Sequence, residues 1–262
     1  MHSPVVAISP CPNDTFAFFS IAENKTYPLE YLDIEQLNLS LLQGKFDIAK
    51  GSFAIMEKLR DTYEILPVGA AIGRGVGPVF VGKIFAGARI GLPGENTTAH
   101  RLFRFWQKQN PVDLQIVQMP FHEMLPAVIA GKLDAAVLIH EGRFVYARHG
   151  IELICDLGAY WESETGAMIP LGCIYSRRSL AGEIKAAFVS DLKKSIATSR
   201  EAYARRSALY REKILPHMLA LAQEHDAAVA EAHVDTYVTS DTFELRGDAL
   251  KSIDVFRNLA IP

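Results

Sequence analysis

His140 is the first candidate for a residue that does chemistry, because it stands where an apolar strand is predicted to end. Residues 135–139 form a continuous apolar run that is typical of a buried strand. A histidine at such a terminus can act as a general base near neutral pH. The same pattern fits a structural histidine, which the local sequence alone favours. We interpret the histidines in weaker contexts as surface or packing residues, namely His100, His122, His149 and His233.

A second candidate is an anion site at Asn96-Thr97-Thr98-Ala99. A turn that contains glycine precedes a predicted helix here, and the free N–H groups of a helix start attract a carboxylate or a phosphate. Two threonine hydroxyls lie beside those groups in the chain. An ordinary helix cap is the alternative, and the local pattern favours it slightly.

Cys11 is a candidate nucleophile because it lies just before a predicted helix, whose dipole can lower the pKa of a thiol. The alternative, which we favour, is a small buried residue that shapes the loop between Pro10 and Pro12. Asn13 or Asp14 would then cap the helix that follows.

Several motifs suggest metal or nucleotide sites but do not have the required spacing. Each of His122-Glu123 and His140-Glu141 lacks the second histidine of a zinc-protease helix, and no CxxC pair occurs among the three cysteines. The glycine-rich segment 73–78 lacks the GxGxxG spacing and leads into a strand, so we interpret it as a tight crossover. We therefore expect no metal and no bound nucleotide.

Composition excludes several classes of protein. The chain has 262 residues, a net charge of −3, 49% hydrophobic residues and 22% charged residues, which is typical of a globular protein and not of a disordered or coiled-coil chain. The lack of positive charge argues against a nucleic-acid partner. The N-terminus has no signal-peptide pattern and no apolar stretch is long enough to span a membrane. We expect a soluble cytoplasmic protein with no membrane partner.

Alternating strand and helix patterns must position these residues, and they predict an α/β protein with largely parallel sheets. Strands are predicted at 5–8, 46–49, 89–93, 115–117 and 135–139. Helices are predicted from residue 13 or 14, over 35–43 with Gly44 after the end, from Ser52 to about 60, from residue 98, and over 122–131. Beyond residue 180 the chain is predicted to be mainly helical.

One short internal repeat suggests two similar lobes. Residues 44–49 match residues 131–136, 87 positions later, and each copy follows an apolar helix and leads into a strand. A match of six residues can also arise by chance. Because ligands of such folds bind beyond the carboxyl ends of strands, two facing lobes would place Ser52 and His140 across one cleft.

Several segments in order resemble the 1,4-dihydroxy-6-naphthoate synthase family of the futalosine pathway to menaquinone. The match runs from near the N-terminus to about residue 237. It is carried by Ser9-Pro10-Cys11-Pro12-Asn13-Asp14-Thr15-Phe16, the 73–78 loop, Asn96-Thr97-Thr98-Ala99, Ile139-His140-Glu141-Gly142-Arg143-Phe144, Asp156-Leu157-Gly158-Ala159-Tyr160-Trp161, Pro170-Leu171-Gly172 and His233-Val234-Asp235-Thr236-Tyr237-Val238.

The resemblance implies a two-lobed α/β fold like the type II periplasmic solute-binding proteins, with a ligand cleft between the lobes. One lobe would comprise residues 1–87 and 175–262, and the other residues 88–174. The implied reaction converts cyclic dehypoxanthinyl futalosine, a small carboxylate, to 1,4-dihydroxy-6-naphthoate. It is a carbon–carbon lyase reaction that needs no cofactor, and the family's proton acceptor corresponds to His140.

The resemblance also implies substrate-binding residues. They are Gly51, Ser52, Phe53, Thr97 and Thr98, with Asn13 and Asp14 expected to line the cleft. Family members carry a larger aliphatic residue where this chain has Gly51, which could alter the pocket. Arg74 and Arg143 fit either cleft cations or structural groups between lobes, and the sequence does not indicate an oligomeric state.

Two alternatives of different function share the expected fold. One is the sister enzyme chorismate dehydratase, against which the Cys11-Pro12-Asn13-Asp14 and Ile139-His140-Glu141 segments argue. The other is a non-catalytic solute-binding protein, whose export signal or lipobox cysteine we do not find in the sequence.

Overall fold

The computed structural model describes residues 4–258, which fold into two β-sheets flanked by helices. The strands are Val6–Ile8 (β1), Leu29–Tyr31 (β2), Ile48–Ser52 (β3), Tyr63–Ile65 (β4), Ala71–Gly73 (β5), Val79–Gly82 (β6), Ala88–Leu92 (β7), Leu114–Gln118 (β8), Ala135–Leu138 (β9), Leu153–Asp156 (β10) and Ile169–Arg177 (β11).

Helices cover the sheets and form most of the C-terminal region. They are Pro12–Ala17 (α1), Phe19–Glu23 (α2), Ile34–Leu42 (α3), Met56–Leu59 (α4), Thr98–Gln109 (α5), Phe121–Ile129 (α6), Gly142–Val145 (α7), Leu157–Thr165 (α8), Gly182–Ala204 (α9), Leu215–Leu221 (α10), Ala227–Tyr237 (α11), Ser240–Phe243 (α12) and Asp248–Asn258 (α13). The prediction of a mainly helical chain beyond residue 180 is confirmed for the residues up to 258.

The two sheets are mixed, so the prediction of largely parallel sheets is wrong. The first sheet has the order β2-β1-β3-β11-β4, with β5 also paired to β11, and the second has the order β10-β6-β9-β7-β8. The local βαβ units are parallel, as in the pairs β1–β3 and β7–β9. The antiparallel pairs involve β6, β10 and β11. Strand β6 is the first strand after the chain passes from the first sheet to the second, and β11 is the first strand after it returns.

The chain crosses between the sheets twice and so builds two lobes. It leaves the first sheet after β5, enters the second with β6, and returns with β11. The strand at 79–82 therefore belongs to the second sheet and the strand at 169–177 to the first. The lobe boundaries at 88 and 174 stay a prediction, and these sheet memberships favour moving both toward the N-terminus.

The repeated segment occupies equivalent places in the two lobes. Gly44 and Gly131 each follow a helix with a positive φ, +67° and +66°, a conformation that favours glycine at a helix end. Each glycine precedes a strand, β3 or β9, that has neighbours on both sides. The glycine at the end of the predicted helix over 35–43 is confirmed.

The apolar core is continuous across both lobes. The largest cluster joins side chains of the first sheet, such as Ala49 and Tyr175, to those of the second, such as Ile90 and Val137. A separate cluster packs helices α1, α10 and α11 together around Phe16 and Met218. Among residues 4–258, no helix is long and apolar enough to cross a membrane.

Candidate functional site

A cavity lies between the two sheets, where the carboxyl ends of β3 and β9 meet. Lys50 and Ser52 reach it from β3, and Ile139 and His140 reach it from the end of β9. The start of α5 and the helix α11 complete its wall. Ser52 and His140 therefore line one cavity, as the sequence predicts. The place of this cavity agrees with the rule that ligands bind beyond the carboxyl ends of strands.

Most of the residues that the sequence singled out come together in this cavity. Its lining includes Asn13, Asp14, Ser52, Thr97, Thr98 and His140. Gly51 and Phe53 do not line it. Phe53 is fully buried in the main core. A Cβ on Gly51 would lie 2.6 Å from Leu41 Cδ1 and 3.0 Å from Tyr175 Cε2, so this position faces the core.

The surroundings of His140 fix the position and the charge of its ring. The backbone of His140 has a φ of +53°, in the left-handed region that few residues other than glycine adopt. The Phe121 ring packs 4.6 Å from the imidazole, and Cys11 Sγ lies 3.0 Å from Nδ1. Although the residue is partly exposed, Nε2 is enclosed and has no hydrogen-bond partner among residues 4–258.

The imidazole of His140 is neutral at physiological pH. Burial lowers the pKa of His140 to about 4, with Asp14 opposing this shift and Lys50 adding to it. A neutral imidazole has one ring nitrogen free to accept a proton. If Nδ1–H donates to Cys11 Sγ, the accepting nitrogen is the enclosed Nε2.

Cys11 supports the histidine and is not an activated nucleophile. Burial, with Glu141 as the next cause, raises the pKa of the Cys11 thiol well above its usual value. The thiol therefore stays protonated, which rules out the lowered pKa proposed from the helix dipole. As favoured from the sequence, Cys11 is a small buried residue, and its contact partner is the ring of His140.

Asp14 belongs to a buried polar network and does not cap a helix. Helix α1 begins at Pro12, and Cys11 occupies the cap position without a side-chain hydrogen bond. Asp14 instead accepts hydrogen bonds from Ser9 Oγ at 2.7 Å, from Asn13 Nδ2 at 2.9 Å and from Lys50 Nζ at 2.8 Å. The side chains of the Asp14–Lys50 pair are only 4% and 5% exposed.

Ser52 is held by an asparagine that the sequence analysis did not identify. Ser52 donates its backbone N–H to Asn38 Oδ1 at 2.8 Å, and Asn38 Nδ2 donates to Ser52 Oγ at 2.9 Å. Asn38 Nδ2 also donates to the carbonyl of Asn96 in the other lobe at 3.0 Å. The predicted helix from Ser52 is a 3-10 turn, Phe53–Ile55, followed by α4, and the Ser52 hydroxyl does not cap it.

The two threonines at the start of α5 have different roles. Thr97 caps the helix by accepting a hydrogen bond from His100 N at 3.1 Å. Thr98 donates its hydroxyl to the carbonyl of Leu171 at 2.8 Å. The first backbone N–H groups of a helix have no partner within it, and here they belong to Thr98 and Ala99 at the cavity wall. These two N–H groups suit a carboxylate better than the hydroxyl groups of Thr97 and Thr98 do.

The two arginines left open by the sequence hold the crossover between the lobes. Arg143 donates to the carbonyls of Gly77 and Gly75 and pairs with Asp156 at 3.0 Å. Arg74 donates to the carbonyl of Gly166 at 2.8 Å. Neither arginine lines the cavity, so the structure assigns them the structural role between the lobes.

Lys50, His233 and Tyr237 line the cavity and were not assigned to the site from the sequence. His233 is 1% exposed and its ring stacks on that of His140 at 6.1 Å, so its interpretation as a surface or packing residue is incomplete. Both His233 and Tyr237 lie in one of the segments that carry the family resemblance. Their place in that segment was the signal from which the sequence could have identified them as site residues. Within the described part of the chain, no group of three or more metal-binding side chains is placed to hold a metal.

Comparison with known proteins places the chain in a family. A family model described as Menaquinone biosynthesis matches residues 4–261. The chain belongs to this family. A protein of Streptomyces coelicolor named 1,4-dihydroxy-6-naphthoate synthase is 36% identical over 95% of this chain and 89% of its own. A Thermus thermophilus protein of the same name is 36% identical over 97% and 92%. The chain is thus a member of the 1,4-dihydroxy-6-naphthoate synthase family of enzymes.

Solved structures support the two-lobed fold of this family member. A crystal structure of an Archaeoglobus fulgidus protein superposes with a TM-score of 0.84 at 30% identity, covering 97% of this chain and 96% of that one. A ligand-binding component of an ABC-type import system from Staphylococcus aureus gives 0.66 at 14% identity, covering 100% and 94%. The second likeness confirms the fold expected from the resemblance to solute-binding proteins.

Proposed function

We propose that this chain converts cyclic dehypoxanthinyl futalosine to 1,4-dihydroxy-6-naphthoate, with His140 as the proton acceptor. The observation that carries the proposal is the neutral imidazole of His140, whose enclosed Nε2 lies at the cavity between the lobes. The names of the two relatives at 36% identity support the product. We further propose that the chain is a biosynthetic enzyme of the cytoplasm.

His140 would act by taking a proton from the bound substrate at Nε2. The proton would come from a substrate hydroxyl group, and the O–H electron pair would form the carbonyl group of the small carbohydrate fragment that leaves as the carbon–carbon bond breaks. The electron pair of the broken carbon–carbon bond would enter the ring system that becomes aromatic, and His140 would return the proton to an oxygen of that ring. Aromatisation supplies driving force, so the protein has mainly to orient the substrate and move a proton. This reaction takes no cofactor.

The cavity offers a distinct binding group for each part of the substrate. The N–H groups at the start of α5, at Thr98 and Ala99, would bind the substrate carboxylate. Ser52, oriented by Asn38, would provide a further hydrogen bond. Asn13 and Asp14 lie at the cavity wall to contact substrate hydroxyl groups.

Replacing His140 with asparagine tests this proposal. Asparagine tolerates the positive φ of this position but cannot accept the proton. We expect kcat to fall by about 10²–10⁴-fold, the usual contribution of general acid–base catalysis. His122→Asn is the matched control, because His122 is exposed and lies outside this cavity. A folded His140→Asn variant with kcat within threefold of the original protein would show that another group takes the proton.

A further inference from the structure

The active-site cavity contains a second imidazole, which the proposed proton transfer does not use. His233 lines this cavity, is 1% exposed, and has neither Nδ1 nor Nε2 hydrogen-bonded to any residue between 4 and 258. Buried polar atoms in native proteins nearly always have a partner. Two enclosed nitrogens on one ring at a ligand cavity therefore call for a partner on the ligand.

Helix α11 carries His233 to the cavity wall. Asp226 caps the helix by accepting hydrogen bonds from two backbone N–H groups, at 2.8 Å and 3.4 Å. Ala230 and Val234 fix one side of the helix in the cluster that contains Phe16. His233 and Tyr237, one turn apart, lie at the cavity. The position of the imidazole is thus determined by packing on the other side of the same helix.

The rings around His233 fix its orientation without using its nitrogens. The His140 ring stacks on it with centroids 6.1 Å apart and planes inclined by 20°. The Tyr237 ring lies 4.5 Å away and the Phe144 ring 6.0 Å away. An apolar ring of similar shape would fill this space equally well. The two ring nitrogens are what the imidazole supplies and an apolar ring would not.

His233 stays uncharged in the folded protein. Burial lowers its pKa well below the ordinary value, and the positive charges of Lys50 and of His140, when His140 is protonated, lower it further. A neutral imidazole keeps one N–H donor and one acceptor. It can therefore stabilise negative charge on an oxygen by hydrogen bonding, without giving up its proton.

We propose that His233 is a second catalytic residue, whose neutral imidazole donates a hydrogen bond to the substrate oxygen on which negative charge develops. No proton is transferred to or from His233 in this step. His140 accepts the proton that leaves the substrate, while the N–H of His233 stabilises the charge that the departing proton leaves behind. This inference rests on the proposed function, since it assigns a second group to the same reaction.

Three substitutions of His233 test the inference, with cyclic dehypoxanthinyl futalosine as the substrate. His233→Phe keeps a ring but removes both nitrogens. His233→Gln and His233→Asn keep an amide N–H near the positions of Nε2 and Nδ1. His217→Phe is the matched control, because His217 also packs against an aromatic ring and its Nε2 has no hydrogen-bond partner within the described residues, but it lies outside the cavity.

We expect kcat of His233→Phe to fall by about 10²–10³-fold, as when one donor to a developing charge is removed. One of the two amide variants should recover kcat to within about tenfold of the original protein. The melting temperature of His233→Phe should be no lower than that of the original protein, because the lost imidazole nitrogens have no partner in the part of the chain that the structure describes. His217→Phe should keep the original kcat.

Two kinetic results would overturn the inference. A His233→Phe variant with kcat and KM within threefold of the original would show that the residue only packs. Amide variants as inactive as His233→Phe would show that the residue transfers a proton or maintains the fold. The proposed function is judged separately by turnover in the original protein and its loss in His140→Asn. If the original protein binds the substrate without turnover, the substrate affinity of His233→Phe provides the test. Binding at least tenfold weaker than that of the original protein supports the hydrogen bond between His233 and the substrate, and unchanged binding contradicts it.

Discussion

Replacing His140 with asparagine should reduce the loss of folding stability in acid. Burial lowers the pKa of His140 from the ordinary 6.5 to about 4. Between these values the unfolded chain binds the proton and the folded protein does not, so stability falls as the pH falls. Because one pKa unit corresponds to about 1.4 kcal/mol, the loss between pH 7 and pH 5 is about 2 kcal/mol.

Urea denaturation of both proteins at pH 7 and pH 5 measures this difference. The original protein should lose about 2 kcal/mol more than His140→Asn over this interval. His233 is also buried with a lowered pKa, but it is present in both proteins, so the comparison isolates His140. Equal losses in the two proteins would refute the claim that the folded protein holds this imidazole neutral.

Three further predictions concern Lys50, Cys11 and Gly51. Lys50→Met leaves Asp14 buried without its cation, so the free energy of unfolding measured with urea should fall by about 3–5 kcal/mol. The double variant Lys50→Met/Asp14→Asn should recover most of that loss. A double variant no more stable than Lys50→Met alone would contradict this expectation. Cys11→Ala removes the partner of His140 Nδ1 and should lower kcat up to about tenfold at constant KM in steady-state assays. A change in KM alone would argue against positioning. Gly51→Val should lower the free energy of unfolding measured with urea by about 1–3 kcal/mol, because the new side chain would contact core side chains, and KM should not change. A raised KM would show that Gly51 shapes the pocket.

Local signals in the sequence predicted much of the fold. The apolar runs at β1, β3, β7 and β9 mark strands that are there, and Gly44 marks a helix end because its backbone needs a positive φ. The directions of β6 and β11 were not predictable in this way. They depend on how the chain passes between two sheets, which no short pattern encodes.

The residues that the sequence missed are those whose role depends on distant partners. Lys50 lies in the middle of the short strand β3, but its partner Asp14 lies 36 positions away. His233 reaches His140 only because helix α11 packs at the cavity. Asp14 has the residue type of a helix cap, yet the buried charge of Lys50 recruits its carboxylate. Local preference and long-range packing compete at these positions, and packing prevails.

The most direct test of the central claim mixes the purified protein with cyclic dehypoxanthinyl futalosine and follows the mixture by liquid chromatography with mass detection. Chorismate is incubated in parallel. The structure and the family predict that 1,4-dihydroxy-6-naphthoate accumulates in proportion to the protein and that chorismate remains intact. Consumption of chorismate alone would identify a dehydratase, and binding without any new product would identify a solute-binding protein; either result would contradict the proposed function.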